Sequence, residues 1–382
     1  MLRVFEAFSG YGSQSIALRN LGIEHEVVAI SEIDKYAIKA YEAIHGPTLN
    51  LGDISKIDVN DIPQHDLFTY SFPCQDLSVA GKQKGLGEGT RSGLLYECEK
   101  VIEHCRPKYL LLENVKNLVG KKFKDDFDKW LEYLEGLGYA NYWKVLNAKD
   151  YGVPQNRERV FVVSILGKHE PFEWPTPMPL DKCISDILEE QVDEKYYLSE
   201  ELVERFKENI NKATDYKQPK QIAEINQVGM LDIKGNEQVR RVYGDNGISP
   251  TLNTMQGGNR QPKIIEYKGK EIELPCIGAS RGRNPENPSS RVAGEPTEQR
   301  LEINTNGTSN TITTVQKDNY AIEESFRIRK LTPRECFRLM GMRDSDIDKI
   351  QGAGISNSQQ YKLAGNSIVV DVLETIFRNL FL

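Results

Sequence analysis

Three short motifs hold the side chains best suited to covalent chemistry. Cys74 stands in SFPCQDLS, directly after the apolar run DLFTY. A thiol of pKa about 8.5 is only a few per cent ionised at neutral pH, yet that fraction is strongly nucleophilic. A buried structural role is commoner for a single cysteine, so Cys74 gains weight only in company. Glu113 supplies it, ending the very apolar run KYLLLENV, where a carboxylate emerges at a sheet edge among neighbours able to raise its pKa and make it a proton donor. In QNRER, Arg157 and Arg159 are two residues apart and share a face if the chain is extended.

A second group points to a small ligand. FSGYGS (8–13) follows an apolar run and precedes a helical pattern, so backbone N–H groups can approach a ligand where glycines remove side chains. Glu32 ends VVAISE, the place where an acidic residue commonly takes ribose hydroxyls. Asp53 in GDI is expected to end a third strand, where a carboxylate could accept from an adenine amino group. Each residue alone reads equally well as a turn or cap. The loop lacks GxGxxG spacing and the chain has no GxxxxGK[ST], so pyrophosphate is not favoured. An adenosyl ligand without phosphates points to S-adenosylmethionine.

These residues must be positioned by an α/β framework. Strand-like RVFEAF, EVVAIS, DLFTYS, KYLLLENV and RVFVVSIL alternate with helical SQSIALRNL, KYAIKAYEAI, GLLYECEKVIEHC and FDKWLEYLEGL. That rhythm predicts a doubly wound, mostly parallel sheet with helices on both faces, a Rossmann-like fold. Prolines in EPFEWPTPMP (170–179) break it and read as a linker. A helix is expected near 199–211, then a Gly-, Asn-, Thr- and Pro-rich, mainly β module. Within it NGISPTLNTMQ (246–256) recurs as NGTSNTITTVQ (306–316), either a repeated unit or a convergence of Asn-Gly turns. LTPRECFRLMG, SQQYKLAGNS and the apolar helix SIVVDVLETIFRNLFL return to helical patterns, the last suited to packing on the large sheet. The expected division is therefore 1–172, completed by 352–382, around an inserted unit at 173–351.

Bulk properties exclude other classes. The 382 residues are 39% hydrophobic and 27% charged, with no apolar stretch near the roughly 20 residues of a membrane span. No signal peptide is visible, so a cytoplasmic location, in contact with the nucleoid, is expected. Six scattered cysteines show no metal-ligand spacing, so no metal is expected. The net charge of -7 hides an uneven distribution, since from Arg240 to Arg300 basic residues outnumber acidic ones ten to seven.

Taken together, FEAFSGYGS, SEIDKYA, GDI, SFPCQDLSVAGKQKG, RSGLL, LLLENV, QNRER, RKLTPRECFRLMG and LAGNS occur in the order of the DNA cytosine-5 methyltransferase family of bacterial and phage type, which the chain resembles. The inserted β module falls where that family keeps its sequence-reading domain. The resemblance implies that Cys74 attacks carbon 6 of a flipped-out cytosine, that Glu113 hydrogen-bonds and protonates ring N3, and that Arg159 holds the base while Arg157 supports the pocket. It implies S-adenosylmethionine as methyl donor and S-adenosylhomocysteine as product. Phe8, Ser9, Gly10, Gly12, Glu32, Ile33, Asp53, Ile54, Pro73, Asn366 and Ser367 correspond to cofactor-lining positions. Ile33 stands where relatives carry an aromatic, and Ala80 where some place a serine.

The partner implied is double-stranded DNA, met by a monomer working alone or beside a separate restriction endonuclease. Gln75, Ser78, Lys82 and Lys84, in or beside the loop LSVAGKQKGLG (77–87), are read as DNA contacts. Thr251 and Thr311, one in each repeat, and Arg240, Arg241, Arg260, Arg281, Arg283 and Arg291 are read as base or phosphate contacts, with solvated surface as the alternative. Transfer-RNA cytosine methylation and a catalytically silent DNA-binding scaffold are the rival functions. The large insert and FPCQ in place of a diproline favour DNA, and the intact Cys74, Glu113 and Arg159 favour catalysis.

Overall fold

A computed structural model describes residues 1–73, 91–212, 224–255, 260–267, 276–283, 298–304, 319–322 and 326–382. The N-terminal part runs β1 (Leu2–Ala7), α1 (Ser13–Asn20), β2 (His25–Ser31), α2 (Lys35–His45), β3 (Leu67–Tyr70), α3 (Leu95–Cys105), β4 (Tyr109–Val115), α4 (Lys124–Gly136), β5 (Tyr139–Asn147), β6 (Gln155–Asn156) and β7 (Glu158–Leu166). Six of these strands form one sheet in the order β2-β1-β3-β4-β7-β5. The pairs β1–β2, β1–β3 and β3–β4 are parallel, whereas β7 is antiparallel to both neighbours.

The two-residue period of the strands sorts their side chains into two cores. Val4, Leu67, Leu111, Val163 and Ile165 face one layer, and Phe5, Phe68, Leu110, Leu112 and Val162 face the other. Helices α3 and α4 cover the second layer with Val101, Ile102, Phe127 and Leu134. The first is covered by α1 and α2, together with four helices from the far end of the chain, α7 (Pro333–Arg338), α8 (Asp344–Gly352), α9 (Asn357–Asn366) and α10 (Val370–Phe381). Leu373, Ile376 and Phe377 of α10 are fully buried there. Without the C-terminal helices that face of the sheet would meet water, so the fold closes only when the chain returns to it.

Between these parts lie α5 (Glu200–Lys212), β8 (Gln227–Met230), α6 (Glu237–Arg240), β9 (Arg241–Tyr243), β10 (Ser249–Pro250), β11 (Lys263–Tyr267), β12 (Cys276–Arg283), β13 (Glu298–Asn304), β14 (Asn319–Ile322) and β15 (Phe326–Lys330). They make a four-stranded sheet, β15-β11-β9-β8, and a three-stranded one, β13-β12-β14. The insert has a small core of its own around Phe206, Val242 and Ile328. Arg329, fully buried, joins it to α7 by a two-pronged pair with Glu335, the residue that also closes the capping box on Thr332.

Two expectations need correction. The third strand expected to end at Asp53 is absent: only Asn50 bridges to Ile30, and Asp53 instead caps a 3₁₀ turn by accepting from Ser55 N–H at 3.1 Å. Strand β5 at the sheet edge was not foreseen. Among the described residues no helix is long and apolar enough to cross a membrane.

Candidate active site

The glycine loop lies between β1 and α1. Phe8, Gly10 and Gly12 all adopt positive φ, at 56°, 58° and 82°. At Gly12 a Cβ would stand 2.5 Å from His45 Nε2 and 2.7 Å from Tyr41 Cε2, so α2 packs where only glycine fits. Among the described residues, the only atom within reach of a Cβ at Gly10 is the Ser367 hydroxyl, 4.0 Å away. Ser9 is buried, and its Oγ finds no hydrogen-bond partner among the described residues.

Glu32 follows β2 and is fixed by backbone donors. Gly10 N–H donates to Oε2 at 3.0 Å, and the N–H groups of Ile33 and Asp34 donate to Oε1 at 2.8 Å. A carboxylate has about four acceptor sites, so one remains for a ligand hydroxyl. Asn50, which the motifs did not single out, brings the Asp53 segment alongside. Its Nδ2 donates to the Glu32 carbonyl at 3.0 Å, while its Oδ1 accepts from Glu32 N–H at 3.2 Å and Gly52 N–H at 2.9 Å. The Ser55 hydroxyl and backbone N–H hold the Asp53 carboxyl below its ordinary pKa. Ile33 is 73% exposed on the same turn. Among the described residues, a hydroxyl without a partner, two carboxylates, an exposed apolar side chain and the glycine-loop backbone fit an adenosyl ligand. Ile54 is buried in the core, and Asn366 is exposed at the end of α9 beside buried Ser367.

The catalytic candidates gather at the ends of β3, β4 and β7. Glu113 is 8% exposed, and its Oε1 lies 3.1 Å from Arg159 Nε. Burial raises its pKa, and the charges of Arg159 and Arg157 offset only part of that shift. The Ser71 hydroxyl bonds to the same carboxyl. Next to it, Asn114 Nδ2 donates to the Phe72 carbonyl at 3.1 Å, so the chain leading through Pro73 is tied to the end of β4. Cys74, Gln75, Ser78, Lys82 and Lys84 lie outside the described residues, as do Arg291 and Thr311.

Arg157 is buried and works differently from Arg159. Its guanidinium donates to three carbonyls: Leu252 at 3.0 Å, Gly365 at 3.1 Å and Ser367 at 2.7 Å. Gln155 does similar work, accepting from Leu252 N–H at 3.2 Å and donating to the Leu339 carbonyl at 2.6 Å. Pairing of β10 with β6 completes the seam. The first repeat copy is therefore pressed against β6 and the end of α9, and Gly365 admits it: a Cβ there would stand 2.0 Å from the Asn253 carbonyl oxygen. Thr251 is exposed at this seam, its hydroxyl donating to the Asn156 carbonyl at 2.6 Å.

Of the other proposed DNA contacts, Arg240 Nε donates to the Leu231 carbonyl and Arg241 pairs with Glu237, while Arg260 is exposed. Arg281 and Arg283 fall on β12, whose side chains are outside the described part.

Comparison with known proteins bears on this geometry. The family described as C-5 cytosine-specific DNA methylase matches residues 2–382. The chain is 37% identical over 445 aligned positions to the orphan methyltransferase M.SPBetaI of Bacillus phage SPbeta, covering 99% of this chain and 97% of that protein. It is 36% identical over 436 positions to the type II methyltransferase M2.ScrFI of Lactococcus lactis subsp. cremoris, covering 100% and 99%. The fold is shared with the Dnmt2 methyltransferase of S. pombe, with a TM-score of 0.62 at 18% identity and both chains fully covered. The Entamoeba histolytica methyltransferase EhMeth gives 0.65 at 16%, covering 100% of this chain and 98% of that one.

Proposed function

The chain belongs to the C-5 cytosine-specific DNA methylase family, and from that premise we propose that it methylates carbon 5 of a flipped-out cytosine in a specific duplex sequence, with Cys74 as nucleophile. The observation that carries this reading is the buried Glu113–Arg159 pair, tied through Ser71 and Phe72 to the segment that runs into Cys74.

Carbon 5 of cytosine is too weak a nucleophile to react unaided. The Cys74 thiolate adds to carbon 6, which turns the ring into an enamine. Glu113, whose pKa burial raises, donates a proton to ring N3 and drains the charge that the addition creates. The planar Arg159 guanidinium, with several donors, steadies the Glu113 carboxyl and the base together. Arg157 spends its donors on the Leu252, Gly365 and Ser367 carbonyls. It is a positioning residue that locks the Leu252 segment and the end of α9 around the pocket. S-adenosylmethionine, held by the glycine loop, Glu32, Asp53 and the Asn366–Ser367 turn, supplies when bound the electrophilic methyl group that the activated carbon accepts. A base from solvent then takes the carbon 5 proton, the freed electron pair expels the thiolate and restores the aromatic ring, and N3 returns its proton to the Glu113 carboxylate. Extruding the base costs a few kcal/mol, offset by stacking and hydrogen bonds in the pocket. The later, more basic stretch of the chain and the Lys82–Lys84 loop supply phosphate contacts, and the repeated Thr segments read the sequence.

Tritiated methyl transfer to duplex DNA and to transfer RNA, measured side by side, tests the reading. DNA is labelled by the wild type and not by Cys74→Ala. Equal labelling by the variant would remove Cys74 from the chemistry, and labelling of transfer RNA alone would replace the substrate.

A further inference from the structure

Helix α9 meets the N-terminal fold at two points beside the glycine loop. At its end, the Ser367 hydroxyl faces Gly10. One turn earlier, Lys362 Nζ donates to Asp34 Oδ2 at 2.5 Å, with the two side chains 28% and 25% exposed. Lys362 and Asn366 are four residues apart in α9 and therefore share a face.

Asp34 passes this contact onward. Its Oδ1 caps α2 by accepting from Tyr36 N–H at 2.8 Å, and its own N–H donates to Glu32 Oε1 at 2.8 Å. The other Glu32 oxygen holds Gly10 N–H. A continuous path of hydrogen bonds thus runs from the C-terminal helix through the β2–α2 turn to the glycine loop. Burial by itself would raise the Asp34 pKa, but the hydrogen bonds from Lys362 and Tyr36 outweigh it and hold the carboxyl below its ordinary value.

We propose that the Lys362–Asp34 ion pair is a positioning device for the adenosyl ligand, fixing the turn that bears Glu32 against the end of α9 that bears Asn366. This rests on the reading of the cleft as the S-adenosylmethionine site. The two walls come from opposite ends of the chain, and this pair is a charged clasp between them right beside the ligand groups. Removing the clasp leaves each wall folded but lets their spacing vary, and the ligand then has to restore it on binding.

Calorimetric titration of the full-length protein with S-adenosylhomocysteine tests this in the wild type, Lys362→Met, Lys362→Arg, Asp34→Asn and Glu32→Ala. Lys362→Met weakens binding about fivefold, as expected for a part-buried ion pair. KM for S-adenosylmethionine rises by the same factor while kcat at saturation holds, and Lys362→Arg recovers most of the affinity. Asp34→Asn keeps a capping side chain and repeats the loss, which preserves the test should Lys362→Met not fold. Wild-type affinity in both Lys362→Met and Asp34→Asn overturns the proposal. So does a fall in kcat or in denaturant midpoint with KM unchanged, which would make the pair purely structural. If Glu32→Ala weakens binding and Lys362→Met does not, only the clasp fails; if the wild type itself binds no S-adenosylhomocysteine, the reading of the cleft fails with it.

Discussion

Glu6 offers the sharpest quantitative prediction. It lies on β1 on the same face as Val4, fully buried behind the glycine loop, with the Ser15 hydroxyl donating to its Oε1 at 2.7 Å and Tyr41 alongside. Burial pushes its pKa up from 4.5 to about 7, against the opposing pull of Ser15 and Tyr41. A folded-state pKa above the unfolded value means that the folded protein holds this proton more tightly. Below pH about 4.5 both states are protonated and Glu6 contributes no pH dependence. Between about 4.5 and 7 the unfolded chain releases the proton first, so stability falls as pH rises; above 7 the full penalty of about 3 kcal/mol is present. Glu6→Gln cannot ionise and keeps an acceptor for Ser15. Urea unfolding at pH 5, 6, 7 and 8 should therefore show the variant gaining on the wild type as pH rises, by about 2.5 kcal/mol across the range. Parallel curves for the two proteins, with a constant difference at every pH, would refute the reasoning.

Two further outcomes follow from the seam between the insert and the large sheet. Arg157→Met strips three buried carbonyls of their donor, and should lower stability by about 3 kcal/mol in denaturant melts and methyl transfer with it; an unchanged midpoint would show the seam to be incidental. Gly365→Ala drives a methyl group into the Asn253 carbonyl, so the 249–255 segment must shift at a cost of about 2 kcal/mol. DNA methylation should fall with it, and full activity in that variant would mean that the segment need not sit where it does.

How far the sequence carried the fold depends on what each element buries. β1, β3, β4 and β7 read clearly because they are covered on both faces and so form continuous apolar runs. β5 escaped because it is an edge strand: Trp143 is 40% exposed, Lys144 is exposed too, and the polar residues among its aromatics blur any period. GDI read as a strand end because its partner is real, but the connection is made by one asparagine amide and a single bridge rather than by a ladder. The charged candidates stand out in their motifs. Asn50, Asn114 and Asn147, which hold the main chain of those motifs, do not, since an amide that satisfies backbone groups leaves no trace in charge or hydropathy. Thr251 shows a further limit. A two-residue pairing with β6 and the reach of Arg157 set its segment against residues 155–157, a contact too short to leave a pattern in the sequence.

The central claim is that a thiolate at position 74 adds to the cytosine ring. A duplex carrying 5-fluorocytosine at the target, incubated with the protein and S-adenosylmethionine, cannot complete the final elimination. The account predicts a denaturant-stable protein–DNA species whose cross-linked peptide contains Cys74, and none with Cys74→Ala. A cross-link at another residue, or no covalent species with a duplex whose unmodified form the protein methylates, would contradict it.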